Sequence, residues 1–138
     1  MPPEQPVSKR ADEPANASAS VLPADVMNRE SLLGLFDQDE ALLSELALLF
    51  LEDSPRLMQD IRAGVAAFDA EKVERAAHTL KGSVGNFGAK RGFELARRME
   101  AMGRSHDLAG APQALIALEE EISRISTELA AVVRREPQ

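Results

Sequence analysis

A chain of 138 residues with a formal net charge of −7 is sized for one domain and is poorly suited to general nucleic-acid binding. It contains no cysteine, which excludes disulfides, thiol chemistry and cysteine-ligated metals, and its five Phe, without Trp or Tyr, are too few to supply stacking platforms for bases. No apolar run reaches membrane-spanning length and the N-terminus lacks a signal-peptide core, so a cytoplasmic protein with no membrane partner is expected.

Residues 1–24 are rich in Pro, Ala, Ser and charge, without periodicity, and read as a disordered tail or linker. The folded domain is expected over 25–135, with 136–138 fraying. Asn28 to Phe36 predicts a short helix, with Asn28 as N-cap and Leu32, Leu33 and Phe36 inward. Asp37-x-x-Glu40 resembles a capping box and opens a helix from about Asp39 towards Phe68. Leu43, Leu46, Phe50, Leu57, Ile61, Val65 and Phe68 keep one register across Pro55, which predicts a single kinked helix.

Asp69 is placed to cap the next helix, with Glu71 in its first turn favourable to the helix dipole. On that helix Val73, Ala76, Ala77, Leu80, Val84 and Phe87 form one apolar stripe. At 100° per residue, His78 points about 150° away from the stripe, into solvent. Lys81 lies to one side, within reach of the imidazole or of something attached to it. Gly82 shares the outward face of His78, and Gly85 lies close beside it. A helical glycine costs roughly 1 kcal/mol relative to alanine. Gly82 therefore points to a site that another protein must approach closely. Gly85 and Gly88 fit either that role or a helix C-cap.

A fourth helix is expected from about Ala89 to Met102, with Phe93, Ala96, Met99 and Met102 inward and Gly103 as its stop. Arg104 to Gly110 reads as a loop, and Pro112 as a first-turn proline. Leu115, Leu118, Ile122, Ile125, Leu129 and Val132 then form a core seam, with Glu119, Glu120 and Glu121 on its solvated side. No strand signal is present. Four amphipathic helices with short connections predict an all-α, antiparallel four-helix bundle, with the short N-terminal helix as a cap.

Charge is uneven along the chain. Residues 72–98 hold seven basic side chains (Lys72, Arg75, Lys81, Lys90, Arg91, Arg97, Arg98) and two acidic ones (Glu74, Glu94). Such a patch suits an acidic partner surface or a bound phosphate, or is a plain solvated face. Arg75, Gly85, Asn86, Lys90 and Arg91 are candidate docking residues. His106, beside Asp107 in the loop, reads as a solvent-facing residue, and two histidines this far apart give no metal spacing. A neutral imidazole nitrogen is a good nucleophile near neutral pH, since an ordinary histidine titrates near 6.5. A nearby ammonium such as that of Lys81 can partly neutralise an anionic group attached to the imidazole.

His78-Thr79-Leu80-Lys81-Gly82, followed by the glycine-bearing turn Gly85 to Gly88, resembles the histidine-containing phosphotransfer (HPt) family. The resemblance extends over roughly Asn28 to Arg134 in helix order and spacing. It implies a four-helix bundle that carries a phosphoryl group on His78, with Lys81 as the nearby cation and Gly82 as the opening for a receiver. The implied partners are aspartates of response-regulator receiver domains in a two-component phosphorelay, with a hybrid sensor histidine kinase as a further partner. The implied chain is a monomeric phosphocarrier rather than an enzyme, without cofactor or metal of its own, Mg²⁺ belonging to the receiver. The competing readings are a non-phosphorylated helical adaptor and the phosphoacceptor helix pair of a histidine kinase. The latter usually has an acidic residue directly after the histidine, where this chain has Thr79. A metal-dependent bundle enzyme would need inward Glu-x-x-His pairs, and Glu74 and His78 are four apart and outward.

Overall fold

The computed structural model describes residues 27–134. The expected tail (1–24) and frayed end (136–138) lie outside the described residues. Five helices follow one another: α1 (Arg29–Leu35), α2 (Glu40–Ala66), α3 (Ala70–Gly85), α4 (Lys90–Arg104) and α5 (Ala111–Arg134). The four long helices form the expected bundle, in which α3 packs on α4 and α2, and α5 closes against α2 and α4.

Local chemistry sets the helix starts. The side chains of Asn28, Asp39 and Asp69 accept hydrogen bonds from the backbone N–H groups of Ser31, Leu42 and Lys72, at 2.8, 3.0 and 3.1 Å. The cap of α2 is therefore Asp39 and not Asp37. Asp37 and Gln38 instead take left-handed φ values of 55° and 63°, and they form the tight turn out of α1. Helix α2 runs unbroken through Pro55.

The core joins the inward stripes of all the helices. Val73, Ala76, Ala77, Leu80, Val84 and Phe87 are buried, as are Leu43, Phe50, Leu57 and Ile61 of α2 and Leu118, Ile122, Ile125, Leu129 and Val132 of α5. Leucines and isoleucines buried to this degree contribute about 1.5–3 kcal/mol each. Phe87 stacks edge-on to Phe50 at 5.9 Å and tilted to Phe36 at 6.1 Å, which fastens the α3–α4 turn to α1 and α2. Leu32 is buried, and Arg29 donates to the Val132 carbonyl (3.2 Å) and pairs with Glu40 (2.9 Å), so α1 caps one end of the bundle.

Four further expectations, three about side-chain direction and one about a helix end, are corrected. Phe68 is 82 % exposed, because it lies past the end of α2 in a left-handed turn (φ 55°) and has left the helical register. Phe93 is exposed and Leu95 buried in its place, since α4 is turned so that its line of small residues meets α3 and α5. Gly103 does not stop α4 but lies buried in its last turn. A Cβ there would stand 2.7 Å from the Ala70 carbonyl oxygen and from the Glu74 nitrogen, so the missing side chain is what lets α4 touch the α3 backbone. Glu121 is buried rather than solvated and pairs with Arg124 at 2.6 Å.

Candidate functional site

Burial of the apolar stripe fixes the rotation of α3, and that alone sends position 78 outward. The His78 side chain is 66 % exposed. Gly82, one turn on, is exposed, and a Cβ there would meet nothing within 4 Å. The space beside the imidazole is therefore open to an approaching surface.

Helix α4 supplies the second half of the site. Gly92, Ala96 and Gly103 form a line of small residues on its packed face, and Glu100 lies on the same line. The close approach at Gly103 brings this line down onto α3, and Glu100 is buried as a result, with 3 % of its surface accessible. A buried carboxylate requires partners, and Glu100 has three. Its Oε2 lies 2.8 Å from His78 Nδ1 and accepts a hydrogen bond of 2.7 Å from Arg104 Nη2. Its Oε1 lies 2.8 Å from Lys81 Nζ. Arg104 is held in turn by Glu74, its Nε donating to Oε2 at 3.2 Å.

Burial pushes the Glu100 carboxyl up, but the hydrogen bonds and charges of Lys81 and His78 outweigh it and hold the group below its ordinary value. Glu100 is therefore an ionised acceptor, and Nδ1 of His78 is the donor. The remaining ring nitrogen, Nε2, keeps its lone pair whenever the ring is neutral. A buried carboxylate thus selects the imidazole tautomer that presents a nucleophile at the surface, as an aspartate does in a hydrolase triad.

The other predicted residues take varied positions. Lys81 is half-buried and reaches the imidazole only through the shared carboxylate; its ammonium also stands 5.9 Å from the centre of the Phe93 ring. Gly85 is exposed beside Phe93, which a Cβ would meet at 3.5 Å. Asn86 is the exposed C-cap of α3, and Gly88 takes the left-handed conformation (φ 67°) that turns the chain into α4. Arg75 is exposed and weakly paired with Glu71 at 3.8 Å. Lys90 is exposed at the start of α4. Arg91 does not join the His78 face: it lies half a turn round α4 from Glu100 and faces Glu121 of α5 at 3.9 Å. His106 is exposed in the α4–α5 loop. Thr79 and Ser83 turn their hydroxyls back onto the α3 backbone.

Two residues of the site, Glu100 and Arg104, were not singled out from the sequence. The available signal was a carboxylate on a line otherwise made of Gly92, Ala96 and Gly103, a position that burial would make costly without partners. Among the described residues no helix is long and apolar enough to cross a membrane, and no three His, Cys, Asp or Glu side chains converge on a metal position.

The sequence model of the Hpt domain family matches residues 45–128, and the chain belongs to that family. The fold is similar to that of histidine-containing phosphotransfer protein B (HptB) from Pseudomonas aeruginosa PAO1, with a TM-score of 0.71 and 23 % identity over 80 % of this chain and 96 % of that one. It is also similar to the HPT domain of the Hpt sensor hybrid histidine kinase from Shewanella, with a TM-score of 0.70 and 15 % identity over 81 % of this chain and 97 % of that one. At these identities the likeness is one of fold. No curated protein sequence matches the chain.

Proposed function

We propose that His78 is the phosphoryl-carrying residue of this Hpt domain, accepting the group from an aspartate of a response-regulator receiver domain and passing it to another. One observation carries the assignment. His78 is exposed on a helix face, and its Nδ1 is tied to the buried, ionised Glu100, so that Nε2 faces solvent as a nucleophile. His106, the other histidine, sits in a loop.

In the reaction, the Nε2 lone pair attacks the phosphorus of an aspartyl phosphate. The N–P bond forms as the P–O bond to the aspartate breaks, and that electron pair leaves with the aspartate carboxylate. No proton moves: Nδ1 keeps its hydrogen, and the ring becomes a phosphoimidazolium whose positive charge faces Glu100. Lys81 supplies a cation to the arriving phosphoryl oxygens, an effect that partial solvent exposure limits. Gly82 keeps the approach clear for the receiver, and Arg75, Gly85, Asn86 and Lys90, all exposed, are the candidate docking residues, with Phe93 beside Gly85. Phosphoryl transfer of this kind is positioning and electrostatics, and the divalent metal belongs to the receiver. In this reading the chain is a cytoplasmic, monomeric phosphocarrier with residues 25–135 as the functional unit, and a hybrid sensor kinase is a natural source of the donor receiver.

The test is phosphotransfer from a panel of radiolabelled phospho-receiver domains to the wild type, His78→Gln and His106→Gln. Label on the wild type and His106→Gln, absent from His78→Gln, acid-labile and base-stable, is the expected result. Receiver binding without label on any variant would instead support a helical adaptor.

A further inference from the structure

The two oxygens of Glu100 are not equivalent. Oε1 is held by Lys81 alone, at 2.8 Å, whereas Oε2 is shared by His78 at 2.8 Å and Arg104 at 2.7 Å. Lys81 holds Oε1 with one of its three N–H donors, and moving its ammonium fully onto a phosphoryl group on His78 takes it off that oxygen. If it leaves, a carboxylate whose side chain is 4 % exposed loses one of its two full positive charges. A buried charge stripped of its partner is strongly unfavourable. Arg104 is placed to prevent that. It approaches from the other side, takes the other oxygen, and is itself anchored to Glu74 at 3.2 Å.

We propose that Arg104 is a positioning residue for phosphotransfer, the standing counter-ion of Glu100 that releases Lys81 from Oε1 to the phosphoryl group on His78. The inference rests on His78 as the phosphorylated residue. Before transfer, Lys81 and Arg104 share the carboxylate. When Nε2 acquires the phosphoryl group, the ring cation and Arg104 together balance the charge of the carboxylate through Oε2, and the Lys81 ammonium turns outward to the phosphoryl oxygens. Glu74 keeps Arg104 from making the same move. Because the Arg104 side chain is 64 % exposed, its replacement leaves a solvated position and not a cavity, and the bundle stays folded.

The prediction is a coupling between two cations that touch different oxygens of one carboxylate. The full chain is phosphorylated with phosphoramidate, a small donor that transfers its phosphoryl group to imidazoles with release of ammonia. The ³¹P resonance and lifetime of the phosphohistidine are then followed in the wild type, Arg104→Gln, Arg104→Lys, Lys81→Ala and the Lys81→Ala/Arg104→Gln double variant. Arg104→Gln is expected to shift the ³¹P resonance in the same direction as Lys81→Ala and to shorten the lifetime by up to about fivefold, the limit for a partly exposed charge contact. Arg104→Lys restores most of both. In the Lys81→Ala background, Arg104→Gln adds little, because no lysine remains to be released. An equal effect of Arg104→Gln in both backgrounds would make Arg104 a phosphoryl ligand in its own right and overturn the proposal, as would no effect in either. A wild type that carries no phosphoryl group on His78 would instead remove the functional reading, and this inference with it.

Discussion

Glu100 Oε2 lies 2.8 Å from His78 Nδ1, across the contact between α4 and α3 and 22 residues along the chain. One partner is almost fully buried and the other two-thirds exposed, so the pair links the core to the surface. Its existence depends on Gly103, one turn beyond Glu100, where α4 meets the α3 backbone.

The exposure of His78 separates its chemistry from the fold. His78→Gln is expected to leave the bundle folded, at a cost of about 0.5–1.5 kcal/mol where the hydrogen bond to Glu100 is lost, and to abolish phosphoryl acceptance. Circular dichroism with thermal melting and a transfer assay check the two halves. A loss of helicity would make His78 a structural residue.

Replacing the orienting carboxylate acts on the nucleophile. Glu100→Gln keeps the shape but removes the charge that holds Nδ1–H, so His78 becomes a mixture of tautomers. Imidazole ¹⁵N shifts should register the change, and transfer should slow by about tenfold or more. The variant should also lose about 1–3 kcal/mol, since Lys81 and Arg104 lose a charged acceptor.

The same carboxylate predicts the acid response. Its native pKa is held below the ordinary 4.5 by the hydrogen bonds and charges of Lys81 and His78, which together exceed the opposing effect of burial. Its contribution to stability is therefore complete above 4.5 and is lost as the pH falls from there through the lower native value. Denaturant melts at stepped pH should show wild-type stability falling in that window. Glu100→Gln should fall less steeply, and parallel curves would rule out Glu100 as a source of acid sensitivity.

Two glycines of similar appearance should behave oppositely. At Gly103 a methyl would collide with the α3 backbone at 2.7 Å, and Gly103→Ala is expected to cost about 1–3 kcal/mol. At Gly82 nothing stands within 4 Å, so Gly82→Ala should raise stability by up to about 1 kcal/mol. If the open face serves a receiver, Gly82→Ala should also slow transfer from phospho-receivers while leaving the small-donor reaction unchanged. Equal rates from both donors would dissociate Gly82 from docking.

The sequence by itself determined the helices, their caps at Asn28 and Asp69, the buried stripe from Val73 to Phe87 and the outward direction of His78. All of these are properties of one helix at a time: a 3.6-residue period and a capping side chain act over a turn or two, and the amino-acid order states them directly. What only the tertiary structure decided lies between helices. The rotation of α4 turned Phe93 out and Leu95 in, and the close approach at Gly103 buried Glu100 against His78, Lys81 and Arg104. Glu121 was likewise taken from the solvent side of α5 into a paired, buried position. Those outcomes depend on which small residues allow two helix backbones to meet and on the rotational phase that contact imposes, and no period within a single helix encodes either.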